Sequence, residues 1–123
     1  MRVIQKDKLY GTTDGSGDLT VTSDNEMLGG VYAVEWIDGD FADGVDLTLS
    51  YTSSDEGVSH NILVVADANA DKIYYPRVLE HLDADGSALT THALPLVNGK
   101  LKMVVANGGD TKTGGCVVHV AVS

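Results

Sequence analysis

The chain has little cysteine, little basic charge and no long apolar run, and each shortage narrows what it can be. Cys116 is the only cysteine, so an intrachain disulfide or a cysteine-rich metal site is excluded. Eight Lys and Arg stand against 18 Asp and Glu, a net charge of −10. Binding to a nucleic-acid backbone gains its free energy from basic side chains, so we expect no direct nucleic-acid partner. No apolar run approaches the ~20 residues that span a bilayer, and the N-terminus lacks the apolar core of a signal peptide. We therefore expect no membrane association and synthesis in the cytoplasm.

Proline is also scarce, with 2 residues against 14 glycines. Abundant glycine favours many tight turns, and turn-rich chains are typical of β proteins. A length of 123 residues is enough for one hydrophobic core and short for two. We expect a single domain over residues 1–123.

Short apolar or alternating segments separated by turn residues predict eight or nine strands. The clearest is 45–51, where apolar and polar residues alternate over seven positions. It is predicted to pair with 60–66 as a hairpin, and a last hairpin is predicted to turn at 107–115. Residues 67–71, which precede the predicted strand 73–79, are expected to form at most one helical turn. The remaining predicted strands are 2–10, 18–23, 30–37, 73–79, 88–94, 100–106 and the run that follows Gly115. The predicted fold is an all-β, single-domain antiparallel β-sandwich, Ig-like or jelly-roll.

The same patterns predict which side chains form the core. Trp36, the only tryptophan, lies in an apolar strand and is expected to be buried, as is Cys116. The alternating or continuously apolar segments place five further residues in the core, namely Leu47, Leu49, Val64, Val105 and Val118.

A search for catalytic and metal-binding motifs yields no candidate. Asp67, Asn69 and Asp71 copy the opening of an EF-hand loop, but Lys72 replaces its glycine and Val78 its glutamate. The histidines are too widely spaced for a zinc motif, and no nucleophile elbow or phosphate-binding loop is present. Catalytic residues, cofactors and metals are therefore predicted to be absent. Ca²⁺ held between acidic turns remains an alternative, at Asp38, Asp40 and Asp43 or at Asp83 and Asp85.

The segment 74–77 reads Tyr-Tyr-Pro-Arg and is the candidate contact surface. Tyrosine and arginine concentrate in protein interfaces, since they bury much area at small entropic cost. Proline lacks an N–H group, so it marks 73–79 as an edge or bulged strand. Alternation would place Tyr75 and Arg77 on one face and Tyr74 on the other, unless Pro76 forces a bulge. The alternative is that one tyrosine fills the core and the other has no role.

Basic residues are concentrated near the two ends of the chain. Residues 1–8 contain Arg2, Lys6 and Lys8, and residues 100–123 contain three lysines, whereas the middle is strongly acidic. If the terminal strands lie side by side, they form a mildly basic face that could orient the protein on a negatively charged partner. The alternative is that these side chains are simply solvated.

Several phrases of the sequence resemble small structural proteins of tailed-bacteriophage virions, which occur among head genes and are commonly all-β. The resemblance covers most of the chain and consists of turn and strand phrases at residues 14–23, 31–39, 44–49, 68–77 and 98–109. It implies a structural protein without an active site, made in the host bacterial cytoplasm and located on the capsid surface of the virion.

Within that class the resemblance favours a capsid decoration, or cement, protein that stabilises the assembled head. Its partners would be the major capsid protein, copies of itself, for example as a homotrimer, or both. A connector or tail-proximal ring subunit is the alternative within the virion. A carbohydrate- or cell-surface-binding module is the alternative from another class, and it would need exposed tryptophans or a tyrosine platform.

Overall fold

The computed structural model describes residues 3–81, 86 and 88–122, and over these residues the protein is all-β. Its strands are antiparallel and carry no helix between them within the described part of the chain. The strands are β1 (Val3–Thr12), β2 (Leu19–Ile37), β3 (Asp46–Ser53), β4 (Ser59–Val65), β5 (Lys72–Tyr74), β6 (Val78–His81), β7 (Ala88–Ala93), β8 (Leu96–Ala106) and β9 (Thr113–Val122).

The strands form a seven-stranded sheet and a separate two-stranded sheet. The larger sheet has the order β1-β9-β2-β8-β3-β4, with β5 also paired to β2, and the smaller sheet is the β6-β7 pair. The long strand β2 changes partner at Gly30, pairing with β8 before it and with β9 after it. Gly30 has no room for a side chain, because an added Cβ would lie 2.8 Å from the Cβ of Leu94.

Strand β2 joins two segments that the sequence predicts as separate strands. Residues 24–26, Asp-Asn-Glu, follow the predicted strand 18–23, yet the chain continues through them in a β-bulge between Thr22 and Glu26. Ser23 is buried there, and its hydroxyl accepts a bond from the N–H of Leu101 and donates one to the carbonyl of Asn25. This side chain supplies bonds where the strand ladder is interrupted, which allows β2 to continue.

One hydrophobic core collects side chains from the seven-stranded sheet and its connections. Trp36 is its largest fully buried side chain, stacked on Phe41 with ring centroids 5.5 Å apart, and its indole N–H donates to the carbonyl of Ala68. Burial of Trp36 confirms the prediction, and the predicted burial of four aliphatic residues is also confirmed, for Leu47, Leu49, Val105 and Val118.

Val64 is a wrong core prediction, since 63% of it is exposed. Strand β4 pairs with β3 as predicted, but its residues Leu63 and Val65 pack against the core, so the side chain of Val64 between them points to the opposite face. An apolar run resembles a central strand, whereas here Val64 lies opposite Thr48 on the outer face.

Two further predictions of strand order are corrected. Strands β8 and β9 are not a hairpin, because β2 lies between them in the sheet. The predicted strand 73–79 is split at Pro76 into β5 and β6, which belong to different sheets, since proline cannot continue a ladder on its N–H side.

Residues 67–71 form bends and no helical turn. The predicted turn at 83–86 lies outside the described residues except for Gly86.

Within the part of the chain that the structure describes, no helix is long and apolar enough to cross a membrane.

Candidate docking surface

Tyr32 is brought to the surface by a second bulge in β2. Val31 pairs with Val120 and Ala33 with His119, so Tyr32 is the additional residue between them. Val34 and Trp36 are buried, and strict alternation would bury Tyr32 with them. The bulge breaks that alternation and leaves Tyr32 exposed.

Tyr75 and Arg77 both contact Tyr32. The rings of Tyr75 and Tyr32 meet edge to face, with centroids 6.2 Å apart and an interplanar angle of 87°. The Arg77 guanidinium lies 5.7 Å from the centre of the Tyr32 ring, and its Nη1 donates to the carbonyls of Tyr32 and Pro76 at 3.1 and 2.6 Å. Arginine over a tyrosine face is a favourable cation–π arrangement. These contacts bring three interface-type side chains together while leaving them exposed, and we call Tyr32, Tyr75 and Arg77 the Tyr-Arg cluster.

The other two residues of the Tyr-Tyr-Pro-Arg segment have structural roles. Tyr74 is half-buried against the core, and Lys72 lies 5.1 Å from the centre of its ring. Pro76 is half-buried in the connection between β5 and β6. Sequence reasoning therefore located Tyr75 and Arg77 in the segment but missed Tyr32, whose position depends on a bulge without a local sequence signal.

Further exposed apolar side chains lie on the strands that carry or flank the Tyr-Arg cluster. Leu96 pairs with Gly30, two residues from Tyr32, and Leu28 precedes Gly30 by two residues on the same side of β2. Ile73 lies opposite Glu35 on the outer face of β2. Leu28 is 66% exposed and Tyr75 58%. Clustered apolar groups of this kind usually mark an interaction surface. We call Leu28, Tyr32, Ile73, Tyr75, Arg77 and Leu96 the docking face.

The predicted basic face is only partly assembled. Strands β1 and β9 do pair along their whole length, with exposed Lys6 opposite His119 and exposed Lys8 opposite Val117. Lys8 lies 4.5 Å from the centre of the exposed Tyr10 ring. Lysines 100 and 102 instead belong to β8, which pairs with β2 and β3. Arg2 lies outside the described residues.

The acidic turns use their carboxylates to cap backbone groups. Asp40 accepts a bond from the N–H of Thr113, and Asp71 accepts one from the N–H of Asp38 at 2.8 Å. Carboxylates engaged in this way stabilise loop backbone directly. No group of three or more potential metal ligands occurs among the residues that the structure describes, and Asp83 and Asp85 lie outside them.

Asp38 differs from the other carboxylates of this acidic region. Its Oδ1 is buried and has no hydrogen-bond partner among the residues that the structure describes. Burial, and then the neighbouring carboxylates of Asp71 and Asp43, raise the pKa of Asp38 above its usual value of 3.8. A raised pKa in the folded state means that the folded protein holds this proton more tightly than the unfolded chain, so stability from this group is lost as the pH rises through that pKa.

Asp38→Asn is therefore expected to raise the melting temperature at pH 7, because it removes an ionised carboxylate that the fold disfavours. The gain should shrink as the pH falls and vanish below about 3.8, where Asp38 is protonated in both states. Thermal melts of both proteins from pH 3 to 8 test this. A gain that is independent of pH, or a loss at pH 7, contradicts the expectation.

Cys116 is a core residue without the features of a reactive thiol. Burial, with a smaller contribution from the Asp7 carboxylate, raises its pKa to about 12. The thiol therefore stays protonated at neutral pH and does not act as a nucleophile. This agrees with the prediction that Cys116 packs as a small hydrophobic residue.

A polar groove lies between β1 and the first bulge of β2. It has a volume of about 420 Å³ and is lined by Gln5, Lys6, Asp7, Asn25, Glu26 and Met27. Burial and the nearby Asp24 carboxylate raise the pKa of Asp7. The lining residues offer carboxylates, amides and one amine, but no hydroxyl or thiol nucleophile.

Comparisons of the chain with models of protein families, with curated proteins and with solved structures gave no significant match.

Proposed function

We propose that this chain is a non-enzymatic structural protein of a tailed-bacteriophage virion, and that it decorates the assembled head. The observation that carries the proposal is the docking face. The side chains of its Tyr-Arg cluster contact one another and remain exposed. Such aromatic and arginine side chains lose little entropy on binding and account for most of the binding free energy at many interfaces.

The resemblance to small virion proteins suggests the partner, and the fold fits the role. An all-β domain with short connections offers a rigid body for bridging neighbouring capsomers. The docking face would contact the major capsid protein on the outer surface of the shell, with further copies of the chain as additional neighbours. We place no cofactor, metal or direct nucleic-acid contact in this role.

The mechanism is stabilisation by mass action. A protein that binds the assembled, expanded lattice and not its free subunits shifts the equilibrium toward the lattice. Each bound copy adds to the resistance of the shell against the pressure of packaged DNA. No chemical step is required of the bound protein.

A connector or tail-proximal ring subunit is the second candidate, because the docking face would serve a ring contact equally well. A carbohydrate-binding module is the candidate from another class. Trp36 is buried, and cations lie over the rings of Tyr32 and Tyr10, so the exposed Tyr75 is the one ring of this group without a cation over it.

Counting the protein in purified virions tests the proposal. A decoration protein is expected at a copy number comparable to that of the shell subunits, measured by quantitative mass spectrometry of intact particles. A few copies at one vertex would support the ring subunit instead. Absence from particles that package DNA normally would overturn both virion roles.

A further inference from the structure

Strand β4 ends the seven-stranded sheet with one edge bonded and the other free. It pairs with β3, and within the described residues no other strand pairs with it. Every second backbone N–H and C=O of such a strand points outward without a protein partner. An unpaired edge of this kind is a template for an added strand.

This edge carries only one of the devices that usually protect a free strand. From Gly57 to Ala66 the sequence contains no Lys, Arg, Asp, Glu or Pro. Val58 and Val64 are 47% and 63% exposed. The one device present is a bulge at Ile62, which interrupts the pairing of β4 with β3.

The other two edges of the sheet are better protected. Strand β1 carries Lys6, Asp7 and Lys8 in its centre. Strand β5 has three residues and is followed closely by Pro76. Charges, proline and short length all discourage strand addition. Among the described edges of the seven-stranded sheet, β4 is therefore the one best suited to accept a strand.

Acidic residues flank β4 at both ends. Asp55 and Glu56 are exposed in the turn before it, and exposed Asp67 follows it. Two copies of β4 paired antiparallel would bring the acidic turn of one copy beside the acidic end of the other, which is unfavourable. A strand with basic ends would instead place opposite charges side by side.

We propose that the free edge of β4 binds an extended segment of another protein, with apolar or β-branched residues at its centre and Lys or Arg at both ends. Backbone hydrogen bonds to β4 supply the register-specific part of the binding. The inward side chains of the segment would cover Leu63 and Val65, which pack against the core and are only partly buried. This site uses residues separate from the docking face and does not depend on the proposed function.

The probe is a fluorescein-labelled peptide, Lys-Lys-Val-Thr-Val-Thr-Val-Lys-Lys, titrated with the full-length protein and followed by anisotropy. We expect it to bind about tenfold more tightly than the same peptide with glutamate in place of lysine, and to weaken with added salt. A peptide with proline at both threonine positions should not bind, because it cannot form the ladder.

Amide hydrogen exchange identifies the site. Alternate amides of β4, those pointing away from β3, are expected to become protected when the basic peptide is added. Val64→Lys should weaken binding at least about fivefold, since an edge lysine both discourages strand addition and repels the peptide. The matched control is Leu28→Lys, which replaces an equally exposed apolar residue with the same charge and should leave binding unchanged.

Other results overturn the proposal. Protection of β4 amides in the free protein that grows with protein concentration would show that a second copy is the occupant. Equal affinity for the basic and the acidic peptide would show that charge does not select the segment. Protection of amides only in β1 or the docking face would show that the peptide binds there and not at β4. The double variant Tyr75→Ala, Arg77→Ala should bind the peptide normally, so failure here leaves the proposed function untouched.

Discussion

Leu49→Ala is expected to lower the free energy of unfolding by about 2–5 kcal/mol, the range for a large-to-small change in a packed core. Leu49 lies in β3, between β8 and β4, and is completely buried. Its neighbours Met103 and Leu63 belong to the two flanking strands, so truncation would leave a cavity that the sheet cannot easily close. Denaturant titration measures the loss.

Val64→Ala is the matched control, since Val64 lies on the adjacent strand and was also predicted to be in the core. Because most of its side chain is exposed, its truncation should cost about 0.5 kcal/mol or less, as for ordinary surface changes. Two results would contradict this expectation: a loss below about 1 kcal/mol for Leu49→Ala, or a comparable loss for both variants. Either would mean that the wrong face of β3 and β4 has been assigned to the core.

The double variant Tyr75→Ala, Arg77→Ala is expected to weaken binding to purified heads by at least about 2 kcal/mol, or roughly 30-fold. Both side chains are exposed, and their contacts are made with Tyr32 at the surface. Their removal should therefore change stability by only about 1 kcal/mol or less. Affinity is measured on heads that lack the protein, and an unchanged melting temperature and circular dichroism spectrum show that the variant is folded.

The control for this variant is Lys8→Ala, Tyr10→Ala. It also removes a cation and the exposed tyrosine beneath it, but on the edge strand β1. We expect it to bind heads like the unaltered protein. If it binds poorly while the docking-face variant binds normally, the basic terminal strand is the contact surface.

The sequence predicts the positions of individual strands better than it predicts which strands pair with one another. Alternation at 45–51 identifies β3 and its buried residues because that pattern is local. The exposure of Val64 and the separation of β8 from β9 depend on the order of strands in the sheet. That order is fixed by packing between distant parts of the chain, which leaves no local pattern.

The candidate site was predictable only where its features are local in the sequence. Tyr75 and Arg77 stand out by residue type, whereas Pro76 was expected to give one edge or bulged strand over 73–79 and instead separates β5 from β6. Tyr32 is different, because counting from the buried Trp36 places it in the core. Only the bulge beside Ala33 turns it outward, and that bulge is set by pairing with β9.

An electron cryo-microscopy reconstruction of purified virions, at a resolution that shows which face of each protein meets the shell, tests the account most directly. We predict the protein on the outer surface of the head, with Tyr32, Tyr75 and Arg77 against the major capsid protein. Particles without the protein would contradict the virion role, and a bound protein whose Tyr-Arg cluster points to solvent would contradict the docking face.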